Sequence, residues 1–483
     1  MIESAQKRRF AVEVVRRLRE AGHEAYWAGG CVRDELLGRT PKDFDVATSA
    51  APPQVRELFG HRRTLAIGAA FGVITVRGPR AAGMIEVATF RQDSPTSDGR
   101  RPDHVTFSSA AEDALRRDFT INGLFYDPIE RRVIDFVGGQ EDLARRVVRA
   151  IGPPQARFAE DKLRMLRAVR FTAAFDFALD PQTAAAIREM APEITVVSPE
   201  RIAMEMRRML TEAGRVEAVR LLVDVGLAPA VLPEIMAGGD LGLRCLESAL
   251  ALLGRLREPG FPLALAAIVC QLVDAEATRQ IGLRWRLSNQ EIEQSAWLVA
   301  HRDDLAGART APWSRLQPIL IHPWIDDLMA LDEAASPQGP DVAAYCRELL
   351  RQPRETLDPP PLATGNDLRA CGIPPGPLYK ILLQRIRDEQ LDGRLHSKAD
   401  AQALAGRIVR DYPSSTESFT SQTRSLSMDK KQKKRIDVLQ SRIQNLRQQL
   451  AGARKQMDDP QEVKNLENQL AAADAELAKT KEG

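Results

Sequence analysis

The feature that most constrains this chain is a change of hydrophobic period near residue 150. Before it, four short β-rich runs, "EAYWAGG", "DFDVAT", "FGVITVRG" and "MIEVATF", are separated by Gly, Pro and charged segments. Pro153-Pro154 then opens a long stretch in which apolar residues recur three and four apart. It runs through "EDKLRMLRAVRFTAAF", "RIAMEMRRMLTEAG" and "RVEAVRLLVDVGL", broken by Pro and Gly, to about Tyr412. A chain of 483 residues is too long for one core. The pattern predicts an α+β protein: a head with a small mixed sheet (1–150), a helical segment (151–225) and an all-helical remainder (226–412).

Beyond it, "PSSTESFTSQTRSLS" is a Ser/Thr-rich linker (413–427) with little to bury. Two heptad arms follow in 428–483. Ile436, Leu439, Ile443, Leu446, Leu450, Ala453 and Met457 form one seam, and Val463, Leu466, Leu470, Ala473 and Leu477 the other. Asp459 and Pro460 separate them as a cap and a first helical position. The first arm is basic ("KKQKKR") and the second acidic, which favours an antiparallel helical hairpin or short coiled coil. Self-association, or an unknown partner, is the expected use.

Hydrophobic residues at 44% and charged residues at 28% describe an ordinary globular composition. The net charge is only +2, so a polyanion would have to be held by local basic patches. Aromatics at 5% argue against stacking platforms as the main mode of nucleic-acid binding. Five scattered cysteines without CxxC spacing suit a reducing compartment and give no zinc site. The N-terminus reads as an amphipathic helix without a signal core, and no apolar run approaches the roughly 20 residues of a membrane span. A cytoplasmic protein without membrane contact is expected.

The chemistry concentrates in "YWAGGCVRDELLGRTPKDFDVAT". In "DFDV" the side chains alternate, so Asp43 and Asp45 share a face while Phe44 and Val46 bury on the other. Two carboxylates roughly 7 Å apart along a strand can close around a hard cation. Mg2+ prefers few protein carboxylates, with substrate phosphates and water completing its octahedron. Upstream, a strand runs through Gly29-Gly30 into a helix, a turn whose N–H groups can cradle phosphate, and Arg33 can add a charged fork. A DxD pair alone is more often solvated decoration. The order of phosphate turn, short helix and DxD strand is what raises it.

With these residues the sequence resembles the DNA polymerase β-like nucleotidyltransferases. Within them it is closest to the class II group of bacterial CCA-adding enzymes and bacterial poly(A) polymerases. The resemblance continues through "IGAAFGVITV", "IEVATFRQDSPTSDGRRPDHVTF", "LRRDFTINGLFYD", "EDKLRMLRAVRF", "SPERIAMEMRRML" and "LLVDVGLAPAVLPEI". It reaches "GNDLRACGIPPGPLYKILLQRIRDEQLDGRL" and so covers residues of about 20–412. It implies a nucleotidyltransferase head, a neck carrying a base-recognition helix, and a helical body and tail that hold the acceptor stem and elbow of tRNA. It further implies that Asp43 and Asp45 hold catalytic Mg2+, most simply two ions, and that Gly30, Arg33, Arg117, Arg167 and Arg170 contact the incoming nucleotide.

Three further readings join these. Glu86 is either a third catalytic carboxylate or a solvated strand residue. Asp118 and Asn122, one helical turn apart in "EDALRRDFTINGL", suit recognition of ribose hydroxyls, with structural capping as the alternative. Asp161 and Arg164, at i and i+3 of a helix, can accept from an exocyclic amino group and donate to the adjacent ring nitrogen. Adenine and cytosine share that edge, whereas guanine and uracil reverse it, so such a site takes ATP and CTP.

The loop Phe90–Pro102 occupies the place of the family's flexible loop but has Pro95-Thr96 where relatives often carry an aromatic. CC-only or A-only addition therefore stays open beside full CCA addition. Poly(A) synthesis is less favoured, because "IGAAFGVITV" stands where a basic "GRRFR"-like run is typical. A catalytically dead RNA-binding scaffold is disfavoured by the intact carboxylate pair. "LAAIVCQLVDAEA" supplies no His-Asp pair for an added phosphohydrolase.

Overall fold

The computed structural model describes residues 2–79, 82–93, 105–236, 239–336, 341–411 and 469–470. The centre of the loop (94–104), the linker and the heptad arms, apart from Gln469 and Leu470, lie outside the described residues. Two compact units divide at Pro360 and Pro361.

The first unit opens with a mixed seven-stranded sheet. Its strands in chain order are β1 (Ala25–Ala28), β2 (Asp45–Thr48), β3 (Thr64–Leu65), β4 (Val73–Arg77), β5 (Met84–Thr89), β6 (Phe125–Asp127) and β7 (Arg132–Ile134). They lie in the order β3-β4-β5-β2-β1-β6-β7. Only β2 and β5 run parallel, with Asp45 opposite Glu86. All four β-rich runs of the sequence form strands.

Period-two alternation sorts the sheet's faces. Trp27, Phe44, Val46, Ile85 and Val87 join the main core, with Phe10, Val14 and Leu18 of helix α1 (Ile2–Glu20) and Val55 and Phe59 of α3 (Pro52–Phe59). The other face packs a smaller cluster of Ala28, Ala47, Phe90, Ala110, Ala114 and Phe125. Phe44 stacks tilted on Trp27 at 4.8 Å between ring centroids. Burying such a ring contributes about 2 kcal/mol and holds the register of β2. A slip of one residue would turn Asp45 into the core.

Helix α2 (Gly30–Leu36) follows β1 directly. Gly29 makes the turn at φ 73°, and a Cβ there would stand 2.9 Å from Nη1 of Arg117. α4 (Ala110–Leu115) starts with a capping box in which the Ser109 hydroxyl accepts from the Glu112 N–H. Pro153 and Pro154 start α5 (Pro154–Glu160), which bends at Asp161 into α6 (Leu163–Phe175). α7 (Pro199–Thr211) buries Ile202, Met206, Met209 and Leu210, and further helices continue to Pro360. Among the described residues no helix is long and apolar enough to cross a membrane.

The second unit's described helices, Gly365–Ala370, Leu378–Leu391 and Lys398–Asp411, bury their own small core of Leu368, Ile373, Leu382, Ile386, Ala401 and Ala405.

Candidate nucleotide site

A cavity of about 490 Å³ opens where the head sheet meets α6 and α7. Its wall holds Gly30, Arg33, Asp45, Arg117, Asp118, Asn122, Asp161, Arg164, Arg167 and Arg170, drawn from segments far apart in sequence. Asp43 lines an adjoining cavity of about 450 Å³, and Asp45 borders both. Glu86 borders neither.

Three expectations about local structure need correction. Asp43 stands just before β2, which begins at Asp45. Alternation nevertheless holds: Asp43 and Asp45 are exposed while Phe44 and Val46 are buried. Asp118 and Asn122 are not on a regular α-helix, because α4 ends at Leu115 and Asn122 closes a short 3-10 turn. Their side chains still meet, Asn122 Nδ2 donating to Asp118 Oδ1 at 3.0 Å. Asp161 does not share a helix with Arg164. It sits extended at the bend after α5, and its Oδ1 accepts from the Leu163 N–H at 3.1 Å. A side chain that accepts from the N–H two residues on offers the backbone an alternative to continuing the previous helix.

At the carboxylate end, Asp45 and Glu86 are in-register neighbours on one face. Protein surrounds the Asp45 carboxyl although its tip meets water. Burial first, then the charges of Glu86 and Asp43, push its pKa up to about 6, against the opposing pull of Arg117 and Lys7. Asp43 Oδ1 takes a hydrogen bond from Lys7 Nζ at 2.5 Å. No group of three or more metal-ligating side chains converges among the described residues. The donors present are all oxygens, and an ammonium occupies Asp43, so the set fits a hard cation.

The arginines are tied down. Arg33 donates to Asp34 Oδ1 at 2.9 and 2.8 Å and to Asn122 Oδ1 at 2.6 Å, and its guanidinium lies 4.3 Å from the centre of the Phe175 ring. Arg117 forks onto Asp113 Oδ2 at 3.2 and 2.9 Å. Burial disfavours the Asp113 charge, but Arg117 and Arg116 outweigh it and hold its pKa below the ordinary value. Arg164 donates to Glu160 Oε2 at 2.6 Å and to the carbonyls of Arg157 and Arg116, both at 3.1 Å.

Arg167 grips Asp118 Oδ2 through Nε at 2.9 Å and Nη2 at 2.7 Å. Oδ1 of Asp118 accepts from the Phe119 N–H at 2.9 Å and from Asn122. All four acceptor positions of that carboxylate are thus filled from within. This arrangement fits the capping alternative better than ribose recognition. Burial opposes its ionisation too, and Arg167 with these bonds keeps the pKa low. Arg170 Nε donates to the buried Glu205 at 2.5 Å, and burial still lowers the arginine's pKa.

Sequence reasoning missed several groups at this site. Arg116 and Arg208 line the cavity. Glu205 of α7 is 4% exposed and bridges Arg170 and Arg167. Arg201 Nη2 donates to Asp161 Oδ2 at 2.6 Å. The spacing of Arg201, Glu205 and Arg208 along one stripe of α7 was the available signal. Lys7 carried none, because nothing local links it to a residue 36 positions away.

A family described as "Poly A polymerase head domain" matches residues 25–149, and "Probable RNA and SrmB- binding site of polymerase A" matches 176–238. A CCA-adding enzyme of Geobacillus kaustophilus is 36% identical over 385 residues, 78% of this chain and 91% of that one. The chain belongs to the CCA-adding enzyme family. It is accordingly a nucleotidyltransferase. The Geobacillus stearothermophilus CCA-adding enzyme is 32% identical over 398 residues, covering 81% of this chain and 94% of its own. The solved Bacillus stearothermophilus CCA-adding enzyme in complex with CTP aligns at TM-score 0.67 and 28% identity, over 83% of this chain and 97% of that one. A Thermotoga maritima CCA-adding enzyme complexed with tRNA shares the fold at TM-score 0.56 and 20% identity, over 83% of this chain and 95% of that one.

Proposed function

We propose that this nucleotidyltransferase adds C, C and A to the 3′ end of tRNA from CTP and ATP, by in-line attack of the 3′-hydroxyl on the α-phosphate. The observation that carries the reading is the single cavity uniting Asp45, the Gly29-Gly30 turn, the α6 arginines and Asp161. The relatives' names support the substrate class. Asp43 and Asp45 would hold Mg2+, which when bound neutralises the triphosphate and lowers the pKa of the attacking hydroxyl, with Glu86 facing Asp45 across the sheet as a further carboxylate.

The protein's own groups orient the nucleotide. N–H groups at the start of α2, with Arg33 and Arg117, receive the phosphates. Asp161 accepts from the amino group of cytosine or adenine while Arg164 donates to the neighbouring ring nitrogen. Arg164 uses three of its five N–H donors internally and keeps others for this bond. Asp118 holds Arg167 in place, and Asn122 retains one amide hydrogen that a ribose oxygen can accept.

The neck at 151–225 presents the base-reading helix. The helical body and tail at 226–412 grip the acceptor stem and elbow through shape and phosphates, in a cytoplasmic setting. The test is incorporation of labelled CTP alone, ATP alone and both into tRNA ending before, within or after CCA. Stepwise completion is expected. Long A tails would establish poly(A) synthesis instead, and CC-only or A-only products would show a specialist. Unchanged incorporation after Asp43→Ala with Asp45→Ala would sink the metal assignment.

A further inference from the structure

Lys7 reaches into the carboxylate end of the site from α1. Its ammonium donates to Asp43 Oδ1 at 2.5 Å and to the carbonyl of Lys42 at 3.1 Å. Two oxygens from consecutive residues thus converge on one cation at the entrance to β2. The lysine side chain is 22% exposed and that of Asp43 78%, so the ammonium meets the carboxylate at the solvent edge of the site.

Anchoring α1 is not what this lysine is needed for. Arg8 beside it pairs with Glu35 at 2.9 Å and lies 5.2 Å from the centre of the Trp27 ring. Phe10 packs so closely on Gly78 that a Cβ there would meet its ring at 2.7 Å. These contacts hold the helix at points other than Lys7. What Lys7 supplies is positive charge beside Asp43 and Asp45, the latter facing Glu86 across the sheet and drawn also by Arg117.

We infer that Lys7 is a placeholder for the metal, its ammonium occupying Asp43 while the site is metal-free and leaving it when a divalent cation enters. This rests on the reading of Asp43 and Asp45 as metal ligands. A divalent ion bound to Asp43 would stand a few ångströms from the ammonium, and like charges at that range repel. Displacement relieves the repulsion, and its cost lowers the site's affinity for free metal. A site with weakened affinity for free metal would take its ion together with a triphosphate, whose oxygens would supply further ligands.

The experiment uses Mn2+ as probe on the full chain, with binding read by electron paramagnetic resonance. Wild type, Lys7→Met, Lys7→Gln, Lys7→Arg and Asp45→Asn are compared after thermal melts establish folding. Lys7→Met and Lys7→Gln are expected to bind Mn2+ about fivefold tighter, the scale of one lost ion pair, and Lys7→Arg to stay near wild type. In unmutated protein, acetylation of Lys7 by acetic anhydride, followed by mass spectrometry, should quicken when Mn2+ is added, and should not in Asp45→Asn. Equal or weaker binding in the Lys7 variants, or unchanged reactivity at saturating Mn2+, overturns the placeholder. Wild type that binds no Mn2+, or Asp45→Asn that binds it equally, overturns the metal reading itself and this inference with it.

Discussion

Replacing Asp45 by Asn should stabilise the metal-free protein while abolishing nucleotide addition. The carboxyl's pKa is raised from 3.8 to about 6, by burial and by the facing charges of Glu86 and Asp43. A raised pKa in an acid means that the folded state prefers the proton. Below pH 3.8 both folded and unfolded chains carry it and Asp45 costs nothing. Between 3.8 and 6 the cost grows, and above 6 it is complete. Two pKa units correspond to about 3 kcal/mol, which solvent at the exposed tip screens to about 1 kcal/mol. Asparagine keeps the shape without the charge. In EDTA at pH 8 its melting temperature should rise by about 1–2 °C, and the gain should vanish near pH 4. Scanning fluorimetry across that range measures it, and CTP incorporation gives the functional half. A lower melting temperature at pH 8, or a gain as large at pH 4, would refute the crowded-carboxylate reasoning.

Three other variants probe the cavity. Gly29→Ala places a Cβ 2.9 Å from Arg117 Nη1 at φ 73°, and should raise the KM for CTP several-fold, for roughly 1 kcal/mol of strain. Glu205→Gln leaves the buried Arg170 without its counter-charge and should cost about 3 kcal/mol in denaturant unfolding. Arg201→Met releases Asp161 Oδ2 and should lower the preference for CTP over UTP about tenfold, whereas a merely structural arginine would slow both nucleotides alike.

The carboxylate face of the site was legible because strand alternation is local: Phe44 and Val46 bury, so Asp43 and Asp45 emerge. The α6 arginines were legible for the same reason, since three-residue steps keep them on one side of a helix. Strands β6 and β7 were not, being three residues each and too short to show a period. Nor were the bend at Asp161, where the Leu163 N–H donates to the side chain, and the grip of Asp118 on Arg167, which spans 49 positions.

Those invisible pairings change what the arginines mean. Read along the chain, Arg33, Arg117, Arg164, Arg167 and Arg170 look like five charges waiting for phosphate. In the fold each already has a carboxylate: Asp34, Asp113, Glu160, Asp118 and Glu205. Unpaired, these cations would repel one another around an empty cavity and spread it open. Paired, they hold its shape before the nucleotide arrives, and each guanidinium's five donors leave room to serve both partners. Arg117, Arg167 and Arg170 are committed inward, through the little-exposed Asp113, Asp118 and Glu205, so their first contribution is to fix the cavity wall. Arg164, whose partner Glu160 is half exposed, spends three of its five donors internally and keeps the others for a base. Specificity then depends on how firmly Asp161 and Arg164 are aimed, and that aim is set from α7, by Arg201, and from the bend between α5 and α6.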